Sequence, residues 1–182
     1  CLGCGEKTLV HLFTGVVEAL MQPRVRRHVE HLEELIEKLE KHIHLRLAQS
    51  MDLGDTAGLA KALESAKTGD LTLAQLTSTV QARNHGSIDA DWLKRVTQLL
   101  AKLKHLKWQY TQGTTGKGRS SMGVVNSTGC SSVWGSTFPF NPYPFPWSNH
   151  LFQDSTSVAM GLFEGHMAKM AEGFKAVRMA EL

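Results

Sequence analysis

The sequence predicts an α/β protein that is mostly helical by content, and two observations predict it. Apolar residues recur at the spacing of one helix face over several long stretches. One short apolar run, MGVVNST, has the composition of a buried strand that closes at residues 127–129. A helical block from about Pro23 to Lys107 therefore interrupts a domain that begins with Cys1–Met21 and resumes at Gly123.

Composition and charge exclude several classes of protein. The 182 residues fit one domain, or one domain with a large insertion, and the 42% apolar share is enough for a core. A net charge of +3 does not supply the dense basic face that nucleic-acid binding needs. No apolar run approaches the roughly 20 residues that span a bilayer, and no signal peptide is visible. The odd count of three cysteines predicts a cytoplasmic setting, and the start at Cys1 predicts a piece of a longer polypeptide.

The first two helices are predicted on either side of a proline. Glu6–Met21 has the spacing of a buried amphipathic helix, and a second helix can begin at Pro23. That second helix, Arg24–Ser50, carries an apolar stripe and two i, i+4 charge pairs, Glu34–Lys38 and Glu37–Lys41. The stripe consists of Val25, Val29, Leu32, Leu35, Ile36, Leu39, Ile43 and Leu47.

Further helices are predicted after Ser50. Their approximate bounds are Asp55–Lys67, Asp70 or Thr72 to before Asn84, Ser87 or Asp89 to Tyr110, and Ser155–Ala180 as one or two helices. The helix that ends near Tyr110 has the clearest apolar face. That face consists of Ile88, Trp92, Leu93, Val96, Leu99, Leu100, Leu103 and Leu106.

The first candidate site is the opening motif, CLGCGE. Cysteines at C-x-x-C spacing, here Cys1 and Cys4, can place both sulfurs on one metal ion or cluster. Gly3 and Gly5 allow the backbone to turn tightly around such a centre and to direct N–H groups at the sulfurs. A redox pair, or two thiols without a ligand, is the alternative.

Cys130 lies in the motif TGCSS, directly after the predicted strand, where α/β folds place ligand-binding backbone. Taken alone, Cys130 is more often a buried inert thiol. With Cys1 and Cys4 it makes three thiolates, one fewer than zinc or an iron–sulfur cluster usually takes. A structural zinc site completed by a histidine is therefore an alternative. The flanking residues that permit close approach or donate hydrogen bonds are Thr128, Gly129, Ser131 and Ser132.

Four motifs together resemble a known family. They are CLGCGE, NSTGCSS, the prolines and aromatic residues of Phe138–Trp147, and WSNHLFQDSTSVAMG. In this order they resemble the thiamine-diphosphate domain of pyruvate:ferredoxin oxidoreductases, the 2-oxoacid:acceptor oxidoreductase family. The resemblance covers about the first 20 and the last 60 residues. It implies a partial Rossmann-like domain over 1–22 and 121–182, interrupted by a large all-α insertion over 23–120.

The resemblance also implies roles for particular residues. Cys1, Cys4 and Cys130 would ligate a 4Fe–4S cluster near the thiamine, with the fourth ligand beyond Leu182. Glu6 would sit beside the thiamine diphosphate, and the backbone around Cys130 would help to enclose it. The cofactor-binding residues expected on this basis are Gly5, Glu6, Thr128, Gly129, Cys130 and Ser131. No residue of this chain is expected to be catalytic.

The reaction that the resemblance implies is the oxidative decarboxylation of a 2-oxo acid, by default pyruvate. Coenzyme A would take the acyl group, and electrons would pass through the cluster to ferredoxin or flavodoxin. The chain has no G-D-G motif followed by Asn, so the oxygen ligands of magnesium would lie outside it. The chain alone is therefore expected to be inactive, and to work with the remaining domains of an enzyme that is a homodimer when complete.

Other features have competing explanations. Ser127 and Gln153 stand where the family often has Ala and Glu, so the exact 2-oxo acid stays open. The helical block is alternatively a non-catalytic interaction or assembly module. His28 and His31 share a helix face, where a metal site is conceivable and a solvated face is expected. A basic–aromatic cluster can dock an acidic ferredoxin or coenzyme A phosphates, although a solvated helix end is the commoner explanation. Its members are Lys102, Lys104, Lys107, Trp108, Tyr110, Lys117 and Arg119.

Overall fold

The structure, a computed structural model, describes residues 2–50, 89–127, 129–135, 140–150 and 154–182. Its elements in chain order are α1 (Gly5–Ser50), α2 (Ala90–Thr111), β1 (Val124–Ser127), α3 (Cys130–Gly135), β2 (Trp147–His150) and α4 (Ser155–Glu181). Helix makes up 75% of what is described, so the prediction of a mostly helical chain is confirmed. The helices predicted at Asp55–Lys67 and before Asn84 lie outside the described residues.

A single helix, α1, replaces the two helices predicted for Glu6–Met21 and Arg24–Ser50. Pro23 lies inside it, so the predicted break at this residue was wrong. A proline in a helix interior removes one backbone hydrogen bond and costs about 3 kcal/mol. The helix has 46 residues, and its later turns bury Leu32 and Leu35, which contributes favourable free energy. Burial further along the helix therefore outweighs the penalty at the proline.

The apolar stripe predicted for the second half of α1 is confirmed. Leu32, Leu35 and Ile43 are buried, and the other members of the stripe are half-buried. The two predicted charge pairs also form, at 3.8 Å between Lys38 and Glu34 and 2.6 Å between Lys41 and Glu37. These pairs are exposed, so each contributes a few tenths of a kcal/mol at most.

The first half of α1 has an apolar face that was predicted to be buried. This face is exposed, so that prediction was wrong. Leu9, Leu12, Phe13, Val16 and Leu20 are between 49% and 67% exposed. The helix forms as its spacing predicts, but no described part of the chain covers this face. α4 is exposed in the same way, and its exposed apolar residues are Met160, Leu162, Phe163, Met167, Met170, Phe174 and Met179. Large exposed apolar faces are typical of surfaces that contact another chain segment or protein.

Capping fixes both ends of α2. The Asp89 carboxylate accepts a hydrogen bond of 2.9 Å from the backbone N–H of Asp91, as expected of an N-cap residue. Gly113, with φ +59°, follows the helix and donates its N–H to the carbonyl of Trp108 at 2.8 Å. The predicted apolar face is confirmed, because Leu93, Leu99, Leu103 and Leu106 are buried. Ile88 lies outside the described residues.

β1 and β2 form a two-stranded parallel sheet, paired from Val124 with Trp147 to Ser127 with His150. The sequence predicted β1. It did not predict β2, because WSNH is short, mostly polar and follows a proline. A Rossmann-like domain is built on a larger doubly wound sheet. The described residues contain both helices and strands, but two strands do not establish a Rossmann-like domain, which stays a prediction.

The chain divides into two compact units. The first comprises Cys1–Glu33 and His105–Lys175 and has a core of Trp134, Phe145 and Trp147. The second comprises Glu34–Lys104 and Ala176–Leu182. Its buried apolar residues are Leu35, Ile43, Leu93, Leu99, Leu103, Ala176 and Val177. The predicted division into domains at 1–22, 23–120 and 121–182 follows the family resemblance. The two compact units do not test it, so it stays a prediction. None of the described helices combines the length and the hydropathy that crossing a membrane requires.

Candidate functional site at the ends of the parallel strands

The carboxyl ends of β1 and β2 meet at one edge of the sheet, where Asn126 and Asn149 are register partners. The indole N–H of Trp147 donates to both side-chain oxygens, at 2.9 Å to Asn126 and 3.2 Å to Asn149. The amide nitrogen of Asn126 in turn donates to the Ser131 hydroxyl at 2.8 Å. Asn126 therefore ties the end of β1 to α3, the short helix that begins at Cys130.

Cys130 is a free thiol on the first residue of α3, and it is exposed. A hydrogen bond of 3.1 Å from the Ser132 N–H to the Gly129 carbonyl closes the turn around it. The position directly after β1 is the one that the sequence predicted. Exposure excludes the alternative of a buried inert thiol at Cys130. Thr128, another predicted site residue, lies outside the described part of the chain.

The second predicted group lies at the start of α1. Cys4 is half-buried, and its carbonyl accepts hydrogen bonds from the Thr8 N–H at 3.1 Å and the Thr8 hydroxyl at 3.0 Å. Gly5 is the first residue of α1, and Glu6 is exposed in the first turn, where the helix dipole favours a carboxylate. Gly3 has φ +74°, which is the tight turn that the sequence predicted for this motif.

The described residues do not by themselves form a metal centre. Cys4 and Cys130 are free thiols, and within the described ranges no three His, Cys, Asp or Glu side chains are grouped to hold a metal ion. Cys1, the third predicted ligand, lies outside those ranges. A 4Fe–4S cluster takes four protein ligands and structural zinc takes four as well. The two described thiols, Cys4 and Cys130, are fewer than either centre needs, so the ligand set stays a prediction.

Sequence reasoning missed a contact between α1 and the proline-rich stretch. His11 Nε2 and the Tyr143 hydroxyl share a hydrogen bond of 2.9 Å. The His11 ring also meets Trp134 edge-on, with 5.4 Å between ring centroids. The rings of Tyr143 and Trp147 are in contact, with 4.9 Å between their centroids. Burial raises the pKa of the Tyr143 hydroxyl. A histidine inside an otherwise apolar helix stretch was the signal that could have found this contact.

The aromatic stretch forms part of the core of the first unit. Phe145 and Trp147 are buried, and Tyr143 stacks on Phe145 with 5.4 Å between ring centroids. Phe140 is 81% exposed, so it takes no part in this core. Only the second half of the stretch therefore belongs to this core, and Phe138 lies outside the described residues.

Among the described residues of the first unit, three buried polar atoms have no hydrogen-bond partner: Ser132 Oγ, Trp134 Nε1 and Glu18 Oε2. Leaving a buried donor or acceptor unpaired costs about 1–3 kcal/mol, so native structures usually supply a partner. Two of the three atoms lie on α3, the helix that begins with the exposed thiol of Cys130.

Comparison with known proteins gives partial matches to pyruvate oxidoreductases. A pyruvate dehydrogenase (NADP+) of Cryptosporidium parvum is 36% identical over 52 residues, which is 25% of this chain. Pyruvate-flavodoxin oxidoreductases of Klebsiella pneumoniae and Enterobacter agglomerans are 37% identical over 52 and 51 residues. The matches cover 3–4% of these relatives' own lengths. No family model and no solved structure matches the chain. About a quarter of the chain is thus similar to enzymes that are named for the oxidation of pyruvate.

Proposed function

We propose that this chain is a segment of a 2-oxoacid oxidoreductase that acts on pyruvate. The observation that carries the proposal is the set of partial matches, all of them to enzymes named for the oxidation of pyruvate. The order of the motifs CLGCGE, NSTGCSS and WSNHLFQDSTSVAMG also supports it. Since the matches cover 3–4% of the relatives, the activity belongs to a longer enzyme and not to this chain alone.

The proposed reaction is the oxidative decarboxylation of pyruvate to acyl-coenzyme A in the cytoplasm. Thiamine diphosphate with magnesium would carry the decarboxylation, and a 4Fe–4S cluster would carry the electrons. Two of the relatives are named for flavodoxin and one for NADP+. We favour a one-electron carrier, flavodoxin or ferredoxin, because the cysteine motifs of this chain suit single-electron transfer through a cluster.

The proposed cluster ligands are Cys1, Cys4 and Cys130. What supports Cys130 is its exposure on the first residue of α3, at the edge of the sheet where α/β folds bind ligands. Asn126 and Trp147 hold this edge in place, and α3 carries two buried polar atoms without partners. We further propose that the residues flanking these cysteines contact the thiamine diphosphate. They are Gly5, Glu6, Thr128, Gly129 and Ser131.

The proposed partner of the exposed apolar faces is the remainder of the same enzyme. Leu12 and Phe13 on α1 are each 65% exposed, and Phe163 and Phe174 on α4 are 63% and 73% exposed. Faces of this kind are unfavourable in water and are covered in stable assemblies. Domains and a second subunit of the complete oxidoreductase would supply that cover.

The alternative function is a non-catalytic assembly module in the helical block. The observation that favours it is the second compact unit, which is built from helices and has its own buried leucines, including Leu93 and Leu103. Deleting residues 34–104 from the complete enzyme separates the two functions. Under the alternative, the deletion changes assembly or carrier use and spares the release of carbon dioxide.

The proposal is tested by assaying the complete polypeptide that contains this chain under anaerobic conditions. We expect pyruvate to reduce a one-electron dye such as methyl viologen only when coenzyme A and thiamine diphosphate are present. We expect the 182-residue chain alone to give no reduction. A complete polypeptide that binds iron but ignores pyruvate and every other 2-oxo acid would contradict the proposal.

A further inference from the structure

Arg119 is held in place by contacts from two helices of the first unit, α2 and α4. Its guanidinium Nη2 donates to a ring nitrogen of His166 on α4 at 3.0 Å. Its Nη1 donates to the Tyr110 hydroxyl on α2 at 3.4 Å, and the guanidinium carbon lies 5.4 Å from the centroid of the Tyr110 ring. Arg119 is half-buried, so these contacts limit its freedom.

The loop before Arg119 can adopt its shape only with glycine. Gly118 has φ +74°, and a Cβ added there would collide with the backbone carbonyl of Tyr110. The Gly118 N–H donates to the carbonyl of Gln112 at 2.7 Å. The loop is therefore folded tightly onto the end of α2, and this fixes the direction in which Arg119 leaves the backbone.

The surroundings of Arg119 are cationic or neutral. The ring of His28 on α1 contacts the Tyr110 ring, which Arg119 also contacts, with 4.9 Å between the two ring centroids. Burial first, and then the charges of His31 and Arg119, lower the pKa of His28. Within the described part of the chain, no carboxylate lies at ion-pair distance from Arg119.

A nearby cation, Lys107, differs from Arg119 in this respect. Lys107, one helical turn before Tyr110, is paired with Glu33 at 2.8 Å. Arg119 instead donates to an unprotonated ring nitrogen of His166, so within the described part of the chain no carboxylate balances its positive charge. The three hydrogen bonds of Arg119 occupy at most three of the five N–H donors of its guanidinium, which leaves two donors without a partner among the described residues.

We propose that Arg119, His166 and His28 form a binding site for a phosphate group. A guanidinium presents a planar fork that matches two oxygens of a phosphate, and protonated imidazoles add charge beside it. A dianion neutralises this group better than a single carboxylate does. The charged or titratable groups around the site are His28 and His31 from α1, Tyr110 from α2, His166 from α4 and Arg119 itself. This inference does not depend on the proposed oxidoreductase function.

Protonation is coupled to binding at this site. In the free protein His166 accepts a hydrogen bond from Arg119, which requires an unprotonated ring nitrogen. Burial, and then the charges of His31 and Arg119, lower the pKa of His28 in the free protein, and a bound dianion favours its protonated form. Binding should therefore be accompanied by proton uptake and should be tighter at pH 6 than at pH 8.

The test is a calorimetric titration of the full chain with inorganic phosphate, and with sulfate, which stays dianionic over this pH range. Ionic strength is held constant, and acetate serves as the monoanion control. We expect saturable binding at pH 6 that is weakened at least about tenfold in Arg119→Gln. Arg95→Gln, which removes a guanidinium paired with Asp89 at 3.6 Å, should bind like the parent. A nucleoside diphosphate that binds tighter than phosphate would assign the site to a larger phosphorylated ligand, and equal binding would assign it to the free anion.

Three results would overturn the inference: no saturable binding of either sulfate or phosphate at pH 6, equal binding by Arg119→Gln, or acetate binding as tightly as sulfate. If Arg119→Gln loses its helical circular dichroism, two milder variants replace it. Arg119→Lys keeps the charge and loses the fork, and it should bind several-fold more weakly. His28→Gln keeps a hydrogen-bonding side chain and should reduce the difference between sulfate binding at pH 6 and at pH 8.

Discussion

The indole N–H of Trp147 lies 2.9 Å from the side-chain oxygen of Asn126 and joins the carboxyl ends of the two parallel strands. Trp147 is 9% exposed, and its ring meets Trp134 of α3 edge-on at 5.6 Å. The same asparagine donates to Ser131, the residue after Cys130. One buried ring therefore positions the strand end, the short helix and the exposed thiol together.

Replacing Trp147 by Phe should destabilise the first unit. The change keeps an aromatic ring but leaves the Asn126 oxygen without its donor and shrinks a buried side chain. We expect a loss of about 1–3 kcal/mol in the free energy of unfolding, measured by urea denaturation. Trp108→Phe is the matched control, since Trp108 is 38% exposed, and should change stability by less than about 0.5 kcal/mol. Equal losses in the two variants would show that the Trp147 hydrogen bonds contribute nothing.

Gly135→Ala should also destabilise the chain, for a steric reason. A Cβ at Gly135 would lie 3.1 Å from one carbon of the Trp147 ring and 3.2 Å from another. Because this ring is buried, it cannot move aside, and overpacking of this kind costs about 1–3 kcal/mol. In Gly161→Ala the same added methyl group meets open space on α4, so helix propensity should raise stability by up to about 1 kcal/mol. Urea midpoints that move in the same direction for both variants would contradict this packing.

Pro23→Ala should stabilise α1. The alanine restores the backbone N–H that proline lacks, and it removes a ring that clashes with the preceding turn. We expect a gain of about 1–3 kcal/mol in the free energy of unfolding, together with stronger helical circular dichroism. The control is Gln22→Ala, which removes only an exposed side-chain hydrogen bond to Glu18. A loss of stability in Pro23→Ala would indicate that α1 is two helices, as the sequence alone predicted.

Stability should depend on pH through His28. Burial, His31 and Arg119 lower the pKa of His28 below its ordinary value of 6.5, so the unfolded chain takes up the proton more readily. Stability is therefore lost as pH falls below about 6.5 and is recovered as pH rises through that window. We expect His28→Gln to lose less stability between pH 7.5 and pH 5.5 than the parent does. His44→Gln, at an exposed position on the same helix, should follow the parent. Parallel curves for the parent and His28→Gln would contradict this account.

Local pattern was enough to predict most of the helical content. The stripe containing Leu32, Leu35 and Ile43 and the Asp89 cap could be predicted because periodicity and capping are local properties of the sequence. Pro23 was misinterpreted because its local penalty is offset by burial elsewhere along α1. The exposed face around Phe13 was misinterpreted because periodicity predicts that a face will be covered but not which part of a protein covers it.

The candidate site was predictable only in part. A cysteine directly after a buried strand predicted the position of Cys130, since the ends of parallel strands are where ligands bind. The contacts of Asn126 with Trp147 and of His11 with Tyr143 join residues 21 and 132 positions apart. No local pattern encodes such pairings, because they depend on strand register and on how the proline-rich stretch returns to α1.

The central claim is that Cys130 belongs to an iron–sulfur centre of a pyruvate oxidoreductase. The most direct test measures iron and acid-labile sulfide in the anaerobically purified complete polypeptide, beside its Cys130→Ser variant and a Ser157→Ala control on α4. We expect the Ser157→Ala control to contain as much iron and as much sulfide as the parent. We expect Cys130→Ser to lose most of both. Zinc in place of iron, or unchanged iron and sulfide in Cys130→Ser, would contradict it.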